Sequence, residues 1–224
     1  MKKISLRASL VALNAVALLG VLAFEVTRAM DVVSSADTNY SLQLLHRTAH
    51  AFNPSYDEGE ESVRVEEVMM RTSTHPKIVR WRKELDQLRG KTPMEQLEAV
   101  NRIINGDVTY RSDYQHWKRE DKWGFPFATL DEGGDCEDFA MLKRVSLHYL
   151  GWPQDGLYLL MGYTTMNGKP DTHAVLLVRT SEGRQYILDS MEKHVLPPAA
   201  DHHFKPMMAV DRAYLYMVSL GGRV

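Results

Sequence analysis

Apolar residues recur at helical spacing in two neighbouring stretches of the chain, and each stretch carries signals for its ends. Pro76 can open a helix that runs to Leu88, and Gly90 follows as its C-terminal signal. A second helix is predicted after Thr92, because Thr92-Pro93-Met94-Glu95 combines an N-cap, a proline at the first helical position and a capping-box glutamate. Its apolar stripe comprises Met94, Leu97, Val100, Ile103 and Ile104.

A third amphipathic stretch follows the run Gly133-Gly134-Asp135-Cys136-Glu137-Asp138, which holds the only cysteine of the chain. Asp135 is a good N-cap residue, and Gly151 stands where a glycine commonly ends a helix. The apolar positions between them are Phe139, Leu142, Val145 and Tyr149. We therefore expect a helix whose first turn contains Cys136.

The pattern changes to that of strands after residue 156. Leu157 to Tyr163, Thr172 to Arg179 and Gln185 to Leu188 are three strand candidates. Asn167-Gly168 and Ser181-Glu182-Gly183-Arg184 supply the turns between them, and so short a connection predicts antiparallel pairing. The fold class is therefore α+β, with N-terminal helices and a central cysteine-bearing helix packed on an antiparallel sheet.

Two stretches lack clear periodicity. Residues 30–62 contain one short apolar run, Tyr40 to Leu45, and predict a partly ordered lead-in to a domain that spans residues 63–224. Residues 108–134 are irregular and rich in aromatic side chains, and they lead directly into the cysteine-bearing helix. This aromatic segment fits either a substrate-binding wall or packing around the start of that helix.

The first 29 residues have the pattern of an export signal. A basic start, Met1-Lys2-Lys3, precedes an apolar run from Ala8 to Phe24, and Thr27-Arg28-Ala29 offers small residues for cleavage after Ala29. The alternative is a retained N-terminal anchor, since the run approaches the length needed to span a membrane. Either interpretation predicts a periplasmic or secreted domain, whose anchored form would face the periplasm from the inner membrane.

Composition narrows the classes of function. Charged residues make up 25% of the chain and hydrophobic residues 44%, which is typical of a folded globular protein. The net charge of −2 gives no support for nucleic-acid binding. A single cysteine cannot form an internal disulfide, so in an exported chain its thiol would be liable to oxidation. The presence of such a thiol is best explained if it has a chemical role.

Cys136 is the candidate nucleophile. At a helix N-terminus, free N–H groups and the positive end of the macrodipole favour thiolate over thiol. The alternative is a buried cysteine that acts as a small hydrophobe. Its neighbours Asp135, Glu137 and Asp138 argue against that alternative, because carboxylates are rarely buried without partners.

His173 begins the second predicted strand and Asp189 follows the third. Folding the hairpin about residues 181–183 brings Asp189 to the same rung as His173 or within one diagonal of it. With Cys136 nearby, the three side chains would make a nucleophile, a base and an orienting carboxylate. Alternatively, His173 is a strand-end histidine with a backbone contact and Asp189 caps a turn.

The histidines near the C-terminus suggest metal binding only weakly. His194 is separated from Asp201-His202-His203 by Pro197-Pro198, and adjacent histidines in regular structure cannot both face one ion. Metal catalysis at these positions is therefore disfavoured.

Three motifs together resemble a known family. Gly-Asp-Cys136-Glu-Asp-Phe-Ala, Thr-His173-Ala-Val-Leu-Leu-Val and Tyr-Ile-Leu-Asp189 are similar to the bacterial transglutaminase-like cysteine proteinases, which include periplasmic proteases of the LapG type. The resemblance covers about residues 75–195. It implies a papain-related, transglutaminase-like fold in which Cys136, His173 and Asp189 form a triad. It also implies a calcium requirement, with Asp135, Glu137 and Asp138 as the matching ligands.

A calcium ion at these positions makes physical sense. Three carboxylates around a thiolate would raise the pKa of the thiol, and a hard cation with oxygen ligands would cancel that repulsion. The alternative is that Asp135 caps the helix while Glu137 and Asp138 complement its dipole. For an oxyanion, the Cys136 backbone N–H is one candidate donor and the Trp123 indole N–H is a second.

The resemblance further implies a protein substrate, a large surface adhesin cut in biofilm control, and an inner-membrane cyclic-di-GMP receptor as regulator. Two other functions remain open at this point. The same triad supports acyl transfer to an amine, as in a transglutaminase or an amidase acting on cell-envelope amides. A non-catalytic module that binds calcium or a partner would need the carboxylates but not Cys136.

Overall fold

The computed structural model describes residues 39–46, 67–68, 70–119, 122–166, 168–198, 203–212 and 214–220. The helices around the site are α1 (Pro76–Asp86), α2 (Pro93–Asp107), α3 (Asp113–Trp117), α4 (Pro126–Glu132) and α5 (Cys136–Tyr149). The strands are β1 (Tyr40–His46), β2 (Leu157–Met166), β3 (Lys169–Arg179), β4 (Gln185–Leu188), β5 (Lys205–Val210) and β6 (Leu215–Leu220).

The strands form one antiparallel sheet in the order β1-β6-β5-β2-β3-β4. The predicted hairpins are present: Gly162 on β2 lies opposite His173, and Leu188 on β4 lies opposite Leu176. Strands β5 and β6 were not anticipated. The α+β fold with an antiparallel sheet behind the cysteine-bearing helix is confirmed.

The sheet curls so that its two edge strands approach each other. The Tyr40 backbone N–H on β1 donates to Gln185 Oε1 on β4 at 2.6 Å, and Gln185 Nε2 donates to the Tyr40 carbonyl at 2.9 Å. An apolar cluster that includes Leu160, Val175 and Ile187 fills the inside of the curl. Residues 40–46, expected in the lead-in, therefore belong to the sheet.

Helix α5 is the centre of the second, larger core. It packs on β2 and β3 on one side and contacts α2 and α4 on the other. The predicted apolar positions Phe139, Leu142 and Val145 are all buried there. The capping box of α2 is present as expected, with the Thr92 side chain accepting from the Glu95 N–H and the Glu95 side chain accepting from the Thr92 N–H.

The aromatic segment contains two short helices, α3 and α4, that the sequence pattern did not predict. Both are too short to show a helical period, at five and seven residues. The two ends of the segment lie side by side just before α5. There the Arg111 N–H donates to the Gly134 carbonyl at 2.8 Å. This contact places the start of α5 next to Tyr110.

Some predicted features lie outside the described residues. These are the signal peptide or anchor at residues 1–29, most of the 30–62 lead-in, and the residues Asp201 and His202. In the part of the chain that the structure describes, no helix combines the length and the apolar character needed to cross a membrane.

Asp138 fixes the first turn of α5. Its Oδ1 accepts the Gly124 backbone N–H at 2.6 Å, and its Oδ2 accepts the Asp135 N–H at 3.3 Å, which completes a capping box with Asp135. The side chain is 2% exposed. Gly124 and Gly134 lie so close to it that a Cβ atom at either position would press against the Asp138 carboxyl group.

This close approach gives a stability prediction. We expect Gly134→Ala to destabilise the fold by about 1–3 kcal/mol, because the new methyl group must displace the buried Asp138 carboxylate. Gly106→Ala is the matched control: its Cβ would meet nothing within 4 Å and it lies in α2, so alanine should be neutral or stabilise by up to about 1 kcal/mol. Urea unfolding of both variants measures the difference, and equal stabilities would contradict it.

Candidate active site

Cys136 is the first residue of α5 and is half-buried. Its Sγ donates to Glu137 Oε2 at 3.1 Å and accepts a hydrogen bond from the Ala174 backbone N–H on β3. The sulfur therefore lies against β3 at the residue that follows His173. Cys136 and His173 line the same cavity, whose volume is about 630 Å³.

His173 and Asp189 form a buried hydrogen-bonded pair. His173 Nε2 lies 2.8 Å from Asp189 Oδ1, and each side chain is 5% exposed. Because β4 ends at Leu188 opposite Leu176, Asp189 is placed one diagonal from His173, as the hairpin predicted. The Met191 N–H also donates to Asp189 Oδ1, at 2.9 Å, and the Asn105 side chain donates to the Asp189 carbonyl at 2.9 Å.

The environment keeps Asp189 ionised. Burial alone would raise the pKa of Asp189, but the hydrogen bond and charge of His173, the Met191 N–H and the charge of Lys143 together hold it below its usual value. An ionised carboxylate can only accept, so the proton of a neutral His173 ring lies on Nε2. Nδ1 is then the ring nitrogen that can take a proton.

A cluster of carboxylates adjoins the sulfur. Ligand atoms of Asp113, Asp135 and Glu137 all lie within 4.8 Å of one another, and the Asp113 backbone N–H donates to Asp135 Oδ2 at 3.1 Å. This set differs from the predicted one. Asp138 is not in the cluster, and its carboxylate accepts the Gly124 and Asp135 N–H groups, while Asp113 takes the third place.

The crowded negative charge governs protonation around Cys136. Burial raises the pKa of the Cys136 thiol well above its usual value, and the charges of Glu137 and Asp135 raise it further. Burial, Asp135 and Asp138 likewise raise the pKa of Glu137 well above its usual value. Burial, together with the charges of Asp135 and Asp113, raises the pKa of Asp138 to about 7. The expected stabilisation of thiolate by the helix terminus is therefore outweighed while these carboxylates are ionised.

This cluster fits a metal ion. Its donors are all carboxylate oxygens, which hard divalent cations prefer, and a cation among them would remove the mutual repulsion that raises these pKa values. Asp113, Asp135 and Glu137 are the side chains that could hold it. In the described part of the chain, His194 and His203 join no such group, and His194 instead lies 3.6 Å from Glu98.

The cavity wall combines residues from four elements. Tyr110 and Trp123 come from the aromatic segment, and Trp123 is also part of the core, as the packing interpretation of that segment predicted. Partial burial, together with the charges of Cys136, Asp135 and Glu137, raises the pKa of Tyr110 to about 12, which keeps its phenol protonated. The sheet contributes further wall residues that the sequence did not indicate: Met161, Gly162, Tyr163, Met207 and Met208.

Asp113 is the site residue that sequence reasoning missed. It follows Ser112, whose side chain accepts the Gln115 N–H and caps α3, so locally it looks like a first-turn helix acid. Its place in the cluster depends on how the segment folds back onto α5, where the Gly134 N–H donates to the Thr109 carbonyl at 3.2 Å. No pattern in the sequence reports that contact.

Comparisons with known proteins show what the chain is similar to. No curated protein matches the chain. Among solved structures, the calcium-bound form of Legionella pneumophila LapG is 29% identical with a TM-score of 0.57, over 71% of this chain and 87% of that chain. The EGTA-treated form is 28% identical with a TM-score of 0.56, over 69% of this chain and 84% of that chain.

The sequence itself matches a family model over most of the described domain. Residues 74–210 match the bacterial transglutaminase-like cysteine proteinases, and this span is more than half of the chain. It includes Cys136, Glu137, His173 and Asp189. The chain belongs to the bacterial transglutaminase-like cysteine proteinases.

Proposed function

We propose that this protein is an exported, calcium-dependent cysteine endopeptidase in which Cys136 is the nucleophile, His173 the base and Asp189 the orienting carboxylate. The observation that carries the proposal is the buried 2.8 Å contact between His173 and Asp189 at the cavity that also contains the Cys136 sulfur. A lone buried histidine or a lone helix-terminal cysteine would not support it. The thiol, the imidazole and the carboxylate together match the nucleophile, base and orienting group that thiol acyl transfer requires.

The reaction begins with proton transfer from Cys136 Sγ to His173 Nδ1. The thiolate then attacks the carbonyl carbon of the scissile peptide, and the carbonyl oxygen becomes an oxyanion. The Cys136 N–H is available to this oxyanion because the first N–H groups of a helix have no partner within it. The Trp123 indole, in the same cavity wall, is the second donor in this scheme.

The intermediate then collapses to products. The C–N bond breaks, the His173 imidazolium gives its proton to the leaving amine, and a thioester remains on Cys136. Water, deprotonated by His173, attacks the thioester and releases the acid product and the thiol. Throughout, Asp189 holds the ring through Nε2 and stabilises its charged form.

Calcium is assigned to Asp113, Asp135 and Glu137. The support is that the cluster lies within 4.8 Å, and that the similar LapG is known in a calcium-bound form and in an EGTA-treated form. A bound calcium ion would neutralise the carboxylates beside the sulfur and so lower the pKa of the thiol. Asp138 has a different role in this proposal, since it holds the first turn of α5 and the Gly124 loop.

The sequence and the family membership support proposals for the location and the substrate. The basic start and the apolar run of residues 1–29 support export to the periplasm or beyond. Within that compartment we infer a protein substrate, a large surface adhesin whose release would regulate biofilm, and control by an inner-membrane cyclic-di-GMP receptor. The open, partly apolar cavity suits an extended peptide segment of such a substrate.

The first functional prediction concerns the nucleophile. The purified domain, added to the surface proteins of its own cells with calcium, should release a large fragment. Cys136→Ser should lower the release rate at least about 10³-fold, since hydroxyl is a far weaker nucleophile than thiolate here. A chelator should abolish release, and added calcium should restore it. Gel separation and mass spectrometry of the released fragments measure both effects.

Two outcomes would contradict that prediction. Incorporation of a labelled amine into the target, without chain cleavage, would indicate acyl transfer rather than hydrolysis. Unchanged biological function of Cys136→Ser, with loss in Glu137→Gln, would indicate a binding module that does not use the thiol.

The second functional prediction concerns the calcium ligands. Asp113→Asn and Glu137→Gln should each weaken calcium binding at least about tenfold, because each removes one anionic oxygen ligand. The matched control is Asp171→Asn, which removes a carboxylate from the same cavity but outside the cluster and should leave calcium binding unchanged. Isothermal titration calorimetry measures the affinities, and the calcium-induced rise in melting temperature gives an independent reading.

The role of Asp138 distinguishes the proposed calcium ligands, which include Asp113, from the set expected from the sequence, which includes Asp138 instead. Asp138→Asn should lower the melting temperature to a similar extent with and without calcium, because it disturbs the capping box rather than the cluster. If Asp138→Asn abolishes calcium binding in a folded protein while Asp113→Asn does not, the ligand assignment is wrong.

A further inference from the structure

Tyr110 is a cavity residue that the reaction above does not use. It belongs to the aromatic segment and lines the same cavity as Cys136 and His173. Its side chain is 62% exposed, so the phenol is open to a molecule that enters the cavity. Within the described part of the chain, the Tyr110 hydroxyl makes no hydrogen bond. The hydroxyl is therefore available to a bound substrate.

Two backbone hydrogen bonds hold Tyr110 beside the nucleophile. The Gly134 N–H donates to the Thr109 carbonyl at 3.2 Å, and the Arg111 N–H donates to the Gly134 carbonyl at 2.8 Å. Tyr110 and Gly134 are thereby paired like neighbours on parallel strands, whose backbones lie about 4.8 Å apart. Gly134 is followed by Asp135 and then by Cys136. The backbone of Tyr110 is thus fixed next to the loop from which α5 begins.

Gly133 allows this close approach. Its φ of +94° lies in the left-handed region that favours glycine, and a Cβ atom there would clash with the Thr109 carbonyl oxygen. Any other residue at this position would push the backbone on either side of Tyr110 away from the start of α5. Gly133 therefore determines where Tyr110 lies relative to Cys136.

The oxyanion of the proposed reaction would form beside carboxylates. Asp135 and Glu137 line the cavity, and none of its described lining residues is a lysine or an arginine. Neutral hydrogen-bond donors can stabilise a negatively charged oxygen in such surroundings, and tyrosine hydroxyls serve in this way at enzyme oxyanion sites. The Tyr110 phenol stays protonated near neutral pH and can therefore donate.

The other hydroxyl groups of the cavity are less well placed. Ser112 caps α3, where its side chain accepts the Gln115 N–H. Thr172 and Tyr163 face each other across β3 and β2, two rungs from Ala174, the residue whose N–H contacts the sulfur. Tyr110, in contrast, is attached through its neighbours to the start of α5, where the Cys136 N–H lies.

We propose that Tyr110 is a further catalytic residue: its hydroxyl donates a hydrogen bond to the carbonyl oxygen of the scissile bond and stabilises the oxyanion together with the Cys136 N–H. The inference rests on the proposed function, in which attack by Cys136 creates that oxyanion. It adds a donor from an exposed side chain to the Trp123 indole, since Trp123 is 6% exposed and also belongs to the core. The phenol keeps its proton throughout, so no further acid or base is required.

The expected effect is confined to acyl transfer. Tyr110→Phe removes only the hydroxyl, so acylation of Cys136 should slow at least about tenfold, because loss of one oxyanion donor commonly costs about 10²–10³ in rate. Alkylation of the same thiol forms no oxyanion and should stay within about twofold of wild type. Because the side chain is exposed, the melting temperature should not change.

The experiment compares four calcium-loaded full-length proteins: wild type, Tyr110→Phe, Tyr114→Phe and Cys136→Ser. Release of 4-nitrophenolate from 4-nitrophenyl acetate measures acylation between pH 6 and pH 9, and modification by iodoacetamide, followed by mass spectrometry, measures alkylation over the same range. Tyr114→Phe is the matched control. Tyr114 belongs to the same segment and is 67% exposed, but it does not line the cavity, so both of its rates should equal those of wild type.

The two rates separate the possible failures. Slower acylation of Tyr110→Phe with unchanged alkylation is the result expected for an oxyanion donor. If both rates fall together, or if the alkylation profile moves along the pH axis, the hydroxyl acts on the thiol or on the fold, and the catalytic role is wrong. If wild type is acylated no faster than Cys136→Ser, the proposed protease function fails and this role fails with it. A Cys136-dependent acylation that Tyr110→Phe leaves unchanged contradicts the role of Tyr110 alone.

Discussion

Negative charge crowded against one sulfur atom is the constraint on which the rest of this structure depends. The nucleophile candidate Cys136 begins a helix, where the backbone favours thiolate, yet burial and the charges of Glu137 and Asp135 raise the pKa of its thiol. These opposing effects make the thiol weakly reactive until the carboxylates are neutralised. A divalent cation held by these carboxylates, as proposed above, would relieve this repulsion and lower the pKa of the thiol.

Two kinds of carboxylate serve two purposes at the start of α5. Asp138 holds the backbone, since it binds the Gly124 and Asp135 N–H groups and packs under two glycines that leave it room. Asp113, Asp135 and Glu137 approach one another instead and are suited to an ion. The carboxylates at the start of α5 thus divide into one that holds the first helical turn and three that are suited to an ion.

The sequence predicts those site residues whose positions are set by local structure. A glycine pair and an N-cap place Cys136 at a helix start, and a short hairpin places Asp189 one diagonal from His173, so these positions were predictable. Asp113 was not, because it resembles an ordinary helix residue and acquires its neighbours in the cluster only through tertiary contacts. Strands β5 and β6 and the short helices α3 and α4 also escaped prediction, and the lead-in run 40–46 became an edge strand through pairing with β6.

The central claim is that a cation at the carboxylate cluster converts Cys136 from a weak thiol into a reactive thiolate. The most direct test is the rate of Cys136 alkylation by iodoacetamide as a function of pH, with calcium and with a chelator. The account predicts that the midpoint of the rate profile lies at distinctly lower pH with calcium, and that Glu137→Gln reduces this difference. Identical profiles with and without calcium, in a protein that binds the ion, would contradict it.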